Sequence, residues 1–159
     1  MLNTKAKNTH PKSTKKQRDL SKGKPVRMAC PYCGKAMQLR NGDAVYKDNR
    51  FKRKVYVCSG YPACDTYVRT QDGTLNPMGT PANSELRRLR YDAHQVFDQM
   101  WQETRMGKES AYRWLANVTG IPEDAAHIGN FREQMCNIVI KESSDALKSF
   151  REMHRDELR

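Results

Sequence analysis

The chain has 159 residues, a formal net charge of +11, 37% apolar content and a mean hydropathy of −0.92. That apolar share supplies one modest core, offers no run long enough to cross a membrane, and leaves a surplus of positive charge suited to anionic partners. The surplus is uneven: residues 1–28 hold nine Lys or Arg against one Asp, residues 29–80 hold eight against four, and residues 81–159 hold twelve against thirteen.

The first 25 residues combine Lys, Ser, Thr, Asn and Gly with almost nothing to bury. Such a segment cannot offset the entropy of ordering and is expected to be a disordered basic tail. Its lysines would release counterions on meeting phosphates and so add salt-sensitive, sequence-independent affinity for DNA or RNA; a solubilising tail without a partner is the plainer alternative. It lacks the apolar face of an amphipathic membrane anchor.

Residues 26–72 hold the most informative pattern. Cys30 and Cys33 stand in CPYCG, and Cys58 and Cys64 in CSGYPAC. A Cys-x-x-Cys turn lets two sulfurs converge at about 2.3 Å from one ion, with backbone N–H groups of the turn donating to the thiolates. Pro31 and Gly34 suit that turn, and Gly60 with Pro62 would fold the longer second knuckle back on the same point. Disulfides would need an oxidising compartment, and the sequence shows no secretory leader. A redox or iron–sulfur site is the other alternative. Four cysteines leave no ligand position open to water, so the reading is one structural Zn²⁺ ion holding a fold, in a cytoplasmic protein.

Strands are expected at 27–30, 36–39, 44–46, 51–58 and 66–69, with hairpin turns at Asn41-Gly42-Asp43 and Lys47-Asp48-Asn49. In FKRKVYVC, alternation puts Phe51, Arg53, Val55 and Val57 on one face and Lys52, Lys54, Tyr56 and Cys58 on the other, a basic and aromatic face. Lys52, Arg53, Lys54 and Arg69, interleaved with Tyr56, Tyr61 and Phe51, are what a single strand of nucleic acid needs, since bases stack on rings while phosphates meet cations. The plainer alternative is that the rings pack the ribbon core and the lysines are solvated.

Residues 73–81 read as a linker, with Thr80 and Pro81 as N-cap and first residue of a helix over about 82–103. Leu86, Leu89, Ala93, Val96, Phe97, Met100 and Trp101 recur at intervals of three and four and form its buried stripe. Arg87 and Arg88 could extend the basic surface of the ribbon or be a solvated face. A second helix over about 108–118 turns Ala111, Tyr112, Leu115 and Trp114 or Val118 inward and ends at Gly120 as a left-handed cap. A third begins near Asn130, with Glu133 completing a capping box, and carries Phe131, Met135, Ile138 and Val139 inward. It either continues through Leu147, Phe150 and Met153 or breaks at Ser143-Ser144. The fold class is therefore α+β: a small antiparallel zinc ribbon followed by a three-helix unit over 82–159.

His94, His127 and Cys136 read as packed or capping side chains rather than ligands or nucleophiles. No catalytic triad, phosphate loop or paired acid motif stands out, so no enzyme and no small-molecule substrate is expected. The connection through Gly120-Ile121-Pro122 to Gly129 is long for a helix-turn-helix.

The arrangement CPYCGKAMQLR followed by FKRKVYVCSGYPACDTYV resembles the four-cysteine zinc ribbons at the C-terminal end of bacterial type I DNA topoisomerases, over about 28–69. That resemblance implies single-stranded DNA binding through Tyr32, Arg40, Tyr56, Tyr61 and Tyr67. The surroundings of a topoisomerase active-site tyrosine are absent, so strand cleavage is not implied. The later segments ELRRLRYDAHQVFDQMW, AYRWLA and AAHIGNF resemble a family of phage and prophage zinc-finger-containing proteins of unknown function. The expectation is a nucleic-acid-binding accessory protein favouring single-stranded DNA, or RNA, in a phage setting. The competing expectation is an adaptor that docks on a protein partner in a replication or transcription complex, which calls for an exposed apolar patch around Trp101, Met106 and Trp114.

Overall fold

A computed structural model of the chain describes residues 23–155. The tail expected over residues 1–25 therefore falls almost wholly outside the described residues. Three antiparallel strands, β1 (Met37–Asn41), β2 (Lys54–Cys58) and β3 (Tyr67–Arg69), form one sheet in the order β1-β2-β3. Three helices follow, α1 (Ser84–Glu103), α2 (Lys108–Thr119) and α3 (Glu133–Met153), confirming the α+β class.

The sheet register pairs Met37 with Cys58, Leu39 with Tyr56, and Tyr56 with Val68. Cross-strand partners share a face, so these side chains meet on one side and, with Cys30, form the ribbon core. The two other strands expected from sequence are not present. Around Ala29 there is a single bridge, to Ala36. At 44–46, the N–H groups of Val45 and Tyr46 both turn back to the Gly42 carbonyl, at 3.0 and 2.8 Å, closing a 3₁₀ turn over Gly42–Ala44 in place of a ladder. The connection from β1 to β2 is one long loop, tied by the Arg53 N–H donating to the Asn49 side chain at 2.9 Å and the Gly42 N–H donating to the Arg53 carbonyl at 2.7 Å.

Helix α1 starts later than expected. Ala82 is held in an isolated β-bridge by reciprocal backbone hydrogen bonds with Tyr67 at 3.2 Å, so the cap falls to Asn83, whose side chain accepts from the Leu86 N–H at 2.9 Å. The expected stripe packs as foreseen: Leu86, Ala93, Phe97 and Met100 are buried, and Leu89, Val96 and Trp101 pack against them. Gly120 caps α2 with φ 67°. Asn130 does not cap α3: it ends a 3₁₀ turn over Ile128–Asn130, its N–H bonded to the His127 carbonyl, and Arg132 takes the cap position. The helix then runs unbroken past Ser143, which is fully buried within it.

The side chains of Trp101, Met106 and Trp114 are half-buried against the helical core, Trp114 stacked on Phe97 at 6.2 Å. The 70–82 segment joins ribbon to helices, and a buried arginine ties that segment to the helical unit. Arg90 lies buried on α1, donating Nε to the Phe131 carbonyl at 2.8 Å, Nη1 to the Thr80 carbonyl at 2.8 Å and Nη2 to the Thr80 hydroxyl at 2.6 Å. Among the described residues, no helix is long and apolar enough to cross a membrane.

Candidate metal centre and nucleic-acid interface

All four sulfurs of Cys30, Cys33, Cys58 and Cys64 lie within 4.8 Å of one another. Cys30 stands 3.6 Å from Cys64, and Cys33 3.3 Å from Cys58. Tetrahedral bonds of about 2.3 Å place sulfurs about 3.8 Å apart, so the set fits one zinc ion. The turns that bring them together are ordinary chain chemistry. Gly34, at φ 72°, closes the first with its N–H on the Cys30 carbonyl at 2.9 Å, and the Cys64 N–H closes the second on the Gly60 carbonyl at 3.0 Å.

The surroundings divide the thiols. Burial alone would raise the Cys30 thiol, yet the backbone N–H groups of Tyr32 and Cys33 and the Thr66 hydroxyl outweigh it and bring it down to about 6. At Cys58 burial wins and pushes the thiol up to about 12, even with the Gly60 N–H 3.4 Å from its sulfur. A neighbouring cation stabilises the thiolate and offsets the cost of burial at such a depth. Among the described residues this is the one such cluster, and it supports one structural zinc ion.

The second knuckle also fastens α1. Asp65, next to Cys64, accepts from the Ser84 N–H at 3.0 Å, and hydrogen bonding from Ser84 holds its carboxyl below the usual range. Arg87 donates to the Asp65 and Ala82 carbonyls at 2.8 and 2.6 Å. The zinc knuckle and the first helix are thus one unit.

The nine nucleic-acid candidates divide by the sheet. Tyr56 leaves the set: it is 1% exposed, and its hydroxyl donates to the Leu75 carbonyl at 2.6 Å and accepts from the Val26 N–H at 2.9 Å. The basic and aromatic face expected beside it is therefore the ribbon core. Lys54 shares that side at its exposed edge, and Lys52 is exposed in a left-handed conformation, φ 49°. Tyr32 is exposed in the first knuckle, and Tyr61 is half-buried in the second.

The opposite face assembles the rest. The register aligns Gln38, Val57 and Tyr67, then Arg40, Val55 and Arg69, with both valines fully buried between the longer side chains. Arg40 is exposed, its Nη2 donating to Gln38 at 2.9 Å. Tyr67 lies under the Arg87 guanidinium, 3.7 Å from its centroid, and edge-on to Tyr46 at 5.9 Å. Arg53 sits over the exposed Phe51 ring at 4.9 Å and 3.8 Å from Asp72. Burial, then Tyr67, push the Tyr46 hydroxyl above its ordinary range, with Arg69, Arg53 and Arg87 drawing it back.

Tyr46 is the participant that the sequence reading omitted. A tyrosine between two turn clusters reads as a strand residue from sequence, whereas here it lies on the loop beside Tyr67. Local sequence does not reveal the place of Arg87 over the Tyr67 ring. Cys136 is buried, and burial pushes its thiol up to about 11, as befits an inert cysteine. His94 is half-buried and His127 exposed, 6.0 Å from Tyr112.

A three-stranded ribbon closed by four cysteines and packed on three helices defines a small structural-zinc protein. Residues 26–146 match the family of zinc-finger-containing domains, and the chain belongs to that family. No curated protein and no solved structure matches it.

Proposed function

We propose that the protein binds nucleic acid without strong sequence preference, favouring single-stranded DNA or RNA, with zinc in a structural role and no catalytic step of its own. The observation that carries the reading is the sheet face opposite the ribbon core, where Arg40, Tyr67 and Arg69 share one surface with Tyr46, Arg53 and Arg87. Cations interleaved with rings suit a strand whose phosphates and bases are both accessible. Lys52, Lys54 and Tyr32 are further exposed groups of the ribbon. The likeness to topoisomerase ribbons supports the preference for a single strand, and the likeness to phage and prophage proteins supports an accessory role in phage nucleic-acid metabolism in the cytoplasm.

The test is fluorescence anisotropy of the zinc-loaded full chain on single-stranded DNA, duplex DNA and RNA across a salt series. A single strand binds with a log–log salt slope of about −0.7 per neutralised phosphate, so Arg40→Gln with Arg69→Gln is expected to flatten the slope by about 1.4. An unchanged slope and affinity in that double variant would assign any binding to the basic N-terminal segment and overturn the role of the ribbon face.

A further inference from the structure

We propose that the cleft between β3 and the helices α1 and α2 is a nucleotide site, its base stacked on Tyr91 and its phosphate held by Arg69. The inference rests on the nucleic-acid reading for its source of ligand and names what that surface grips.

The cleft measures about 850 Å³, within the range of sites for small organic ligands. Tyrosines line it from three directions: Tyr46 and Tyr67 from the ribbon, Tyr91 from α1 and Tyr112 from α2. Three arginines, Arg69, Arg87 and Arg90, also line it, and no Asp or Glu does. Two other grooves differ in charge: Glu103 and Glu152 border the one between α1 and α3, and Glu109, Glu123 and Asp124 the one beside the start of α2. A cleft with aromatic walls and one sign of charge selects a flat aromatic anion, which is the chemistry of a nucleotide.

The committed contacts separate walls from ligand-binding groups. Arg87 and Arg90 are held by backbone carbonyls and Thr80, as described above. Arg69 enters no side-chain hydrogen bond or ion pair among the described residues, which leaves its guanidinium for a phosphate. The rings divide in the same way. Tyr67 is covered by Arg87, and Tyr112 meets Phe97 edge-on at 5.7 Å. Tyr91 stands one turn beyond Arg87, 61% exposed at the cleft and with no stacked neighbour among the described residues. Its faces are open to a base.

The ligand chemistry has two sources, a nucleotide within a strand or a free mononucleotide, and the experiment separates them. The full-length zinc-loaded protein is titrated with a single-stranded oligonucleotide carrying one 2-aminopurine, and separately with AMP, following anisotropy, 2-aminopurine emission and amide resonances of Tyr91 and Arg69. Wild-type binding is expected to quench the emission, and Tyr91→Ala to lose affinity about tenfold and restore the emission, in keeping with the size of one base stack. Shifts with AMP but no strand binding would support the cleft as a free-nucleotide site and overturn the strand reading. Strand binding with unquenched emission and full affinity in Tyr91→Ala and Arg69→Gln would overturn the cleft and leave the strand reading intact. Response to neither ligand would overturn both. Tyr91 is exposed, and an unchanged thermal melt of Tyr91→Ala verifies that the variant is folded.

Discussion

Replacing Tyr56 by Phe separates a core residue from a contact residue. The ring keeps its place among Met37, Cys58 and Val68, and only the hydroxyl is lost. That hydroxyl joins two chain segments to the sheet, donating to the Leu75 carbonyl and accepting from the Val26 N–H. Leu75 is buried, so its carbonyl is left without a donor, whereas Val26 is exposed enough for water to replace its partner. One stranded buried acceptor costs about 1–3 kcal/mol and one re-solvated donor little, giving about 1.5 kcal/mol in all. For a domain of this size that is a fall in Tm of about 5 °C. Differential scanning calorimetry, with zinc content measured in parallel, is expected to show that loss at full metal loading, with nucleic-acid affinity unchanged. A variant that keeps its Tm but loses strand affinity several-fold would refute the placement of Tyr56 and restore it as a stacking residue.

Cys58→Ser removes a buried ligand, and zinc per chain, measured by mass spectrometry, is expected to fall well below one, with loss of the ribbon's sheet signal in circular dichroism. Structural zinc supplies about 10 kcal/mol or more of folding free energy, so full metal content with a folded spectrum would contradict the cage. Gly79→Ala is expected to be severe and Gly120→Ala mild. Gly79 has φ 100° and its added Cβ would stand 2.2 Å from the Gly129 carbonyl oxygen, whereas Gly120 has φ 67° and open space around it. Chemical denaturation should give about 1–2 kcal/mol for Gly120→Ala, the left-handed penalty alone, and clearly more for Gly79→Ala. Burial lowers the His94 pKa below its ordinary value of 6.5, opposed in part by Asp98. The unfolded chain therefore binds more protons, so this contribution is present above pH 6.5 and is lost as pH falls through the lower folded value. Urea midpoints should drop between pH 7.5 and pH 5, and His94→Gln should make that drop smaller.

The zinc cage was legible because its chemistry is local: two short turns carry four identical donors, and only one arrangement of them satisfies a tetrahedral ion. The stripes of α1 and α2 and the left-handed cap at Gly120 were legible for a similar reason, each being set by neighbours within a turn or two of helix. The helix starts expected at Thr80-Pro81 and at Asn130 differ from the caps at Asn83 and Arg132 because a cap depends on where the preceding backbone is already bonded. Ala82 is held by Tyr67, and Asn130 by a 3₁₀ turn.

By itself, the sequence determined a basic α+β chain with four thiolates for one metal and a separate set of amphipathic helices. Tertiary structure decided which side of the sheet is core. Alternation in FKRKVYVC divides the residues into two faces but carries no label for inside, and both faces of β2 are buried here. The side holding Cys58 must follow its sulfur into the cage, which takes Tyr56 into the core with it. The same constraint turns Arg40, Tyr67 and Arg69 outward together, and the packing of α1 against the second knuckle then sets Arg87 on Tyr67 and opens a tyrosine-lined cleft beside them. These are long-range consequences of a single coordination geometry, and no window of local sequence contains them.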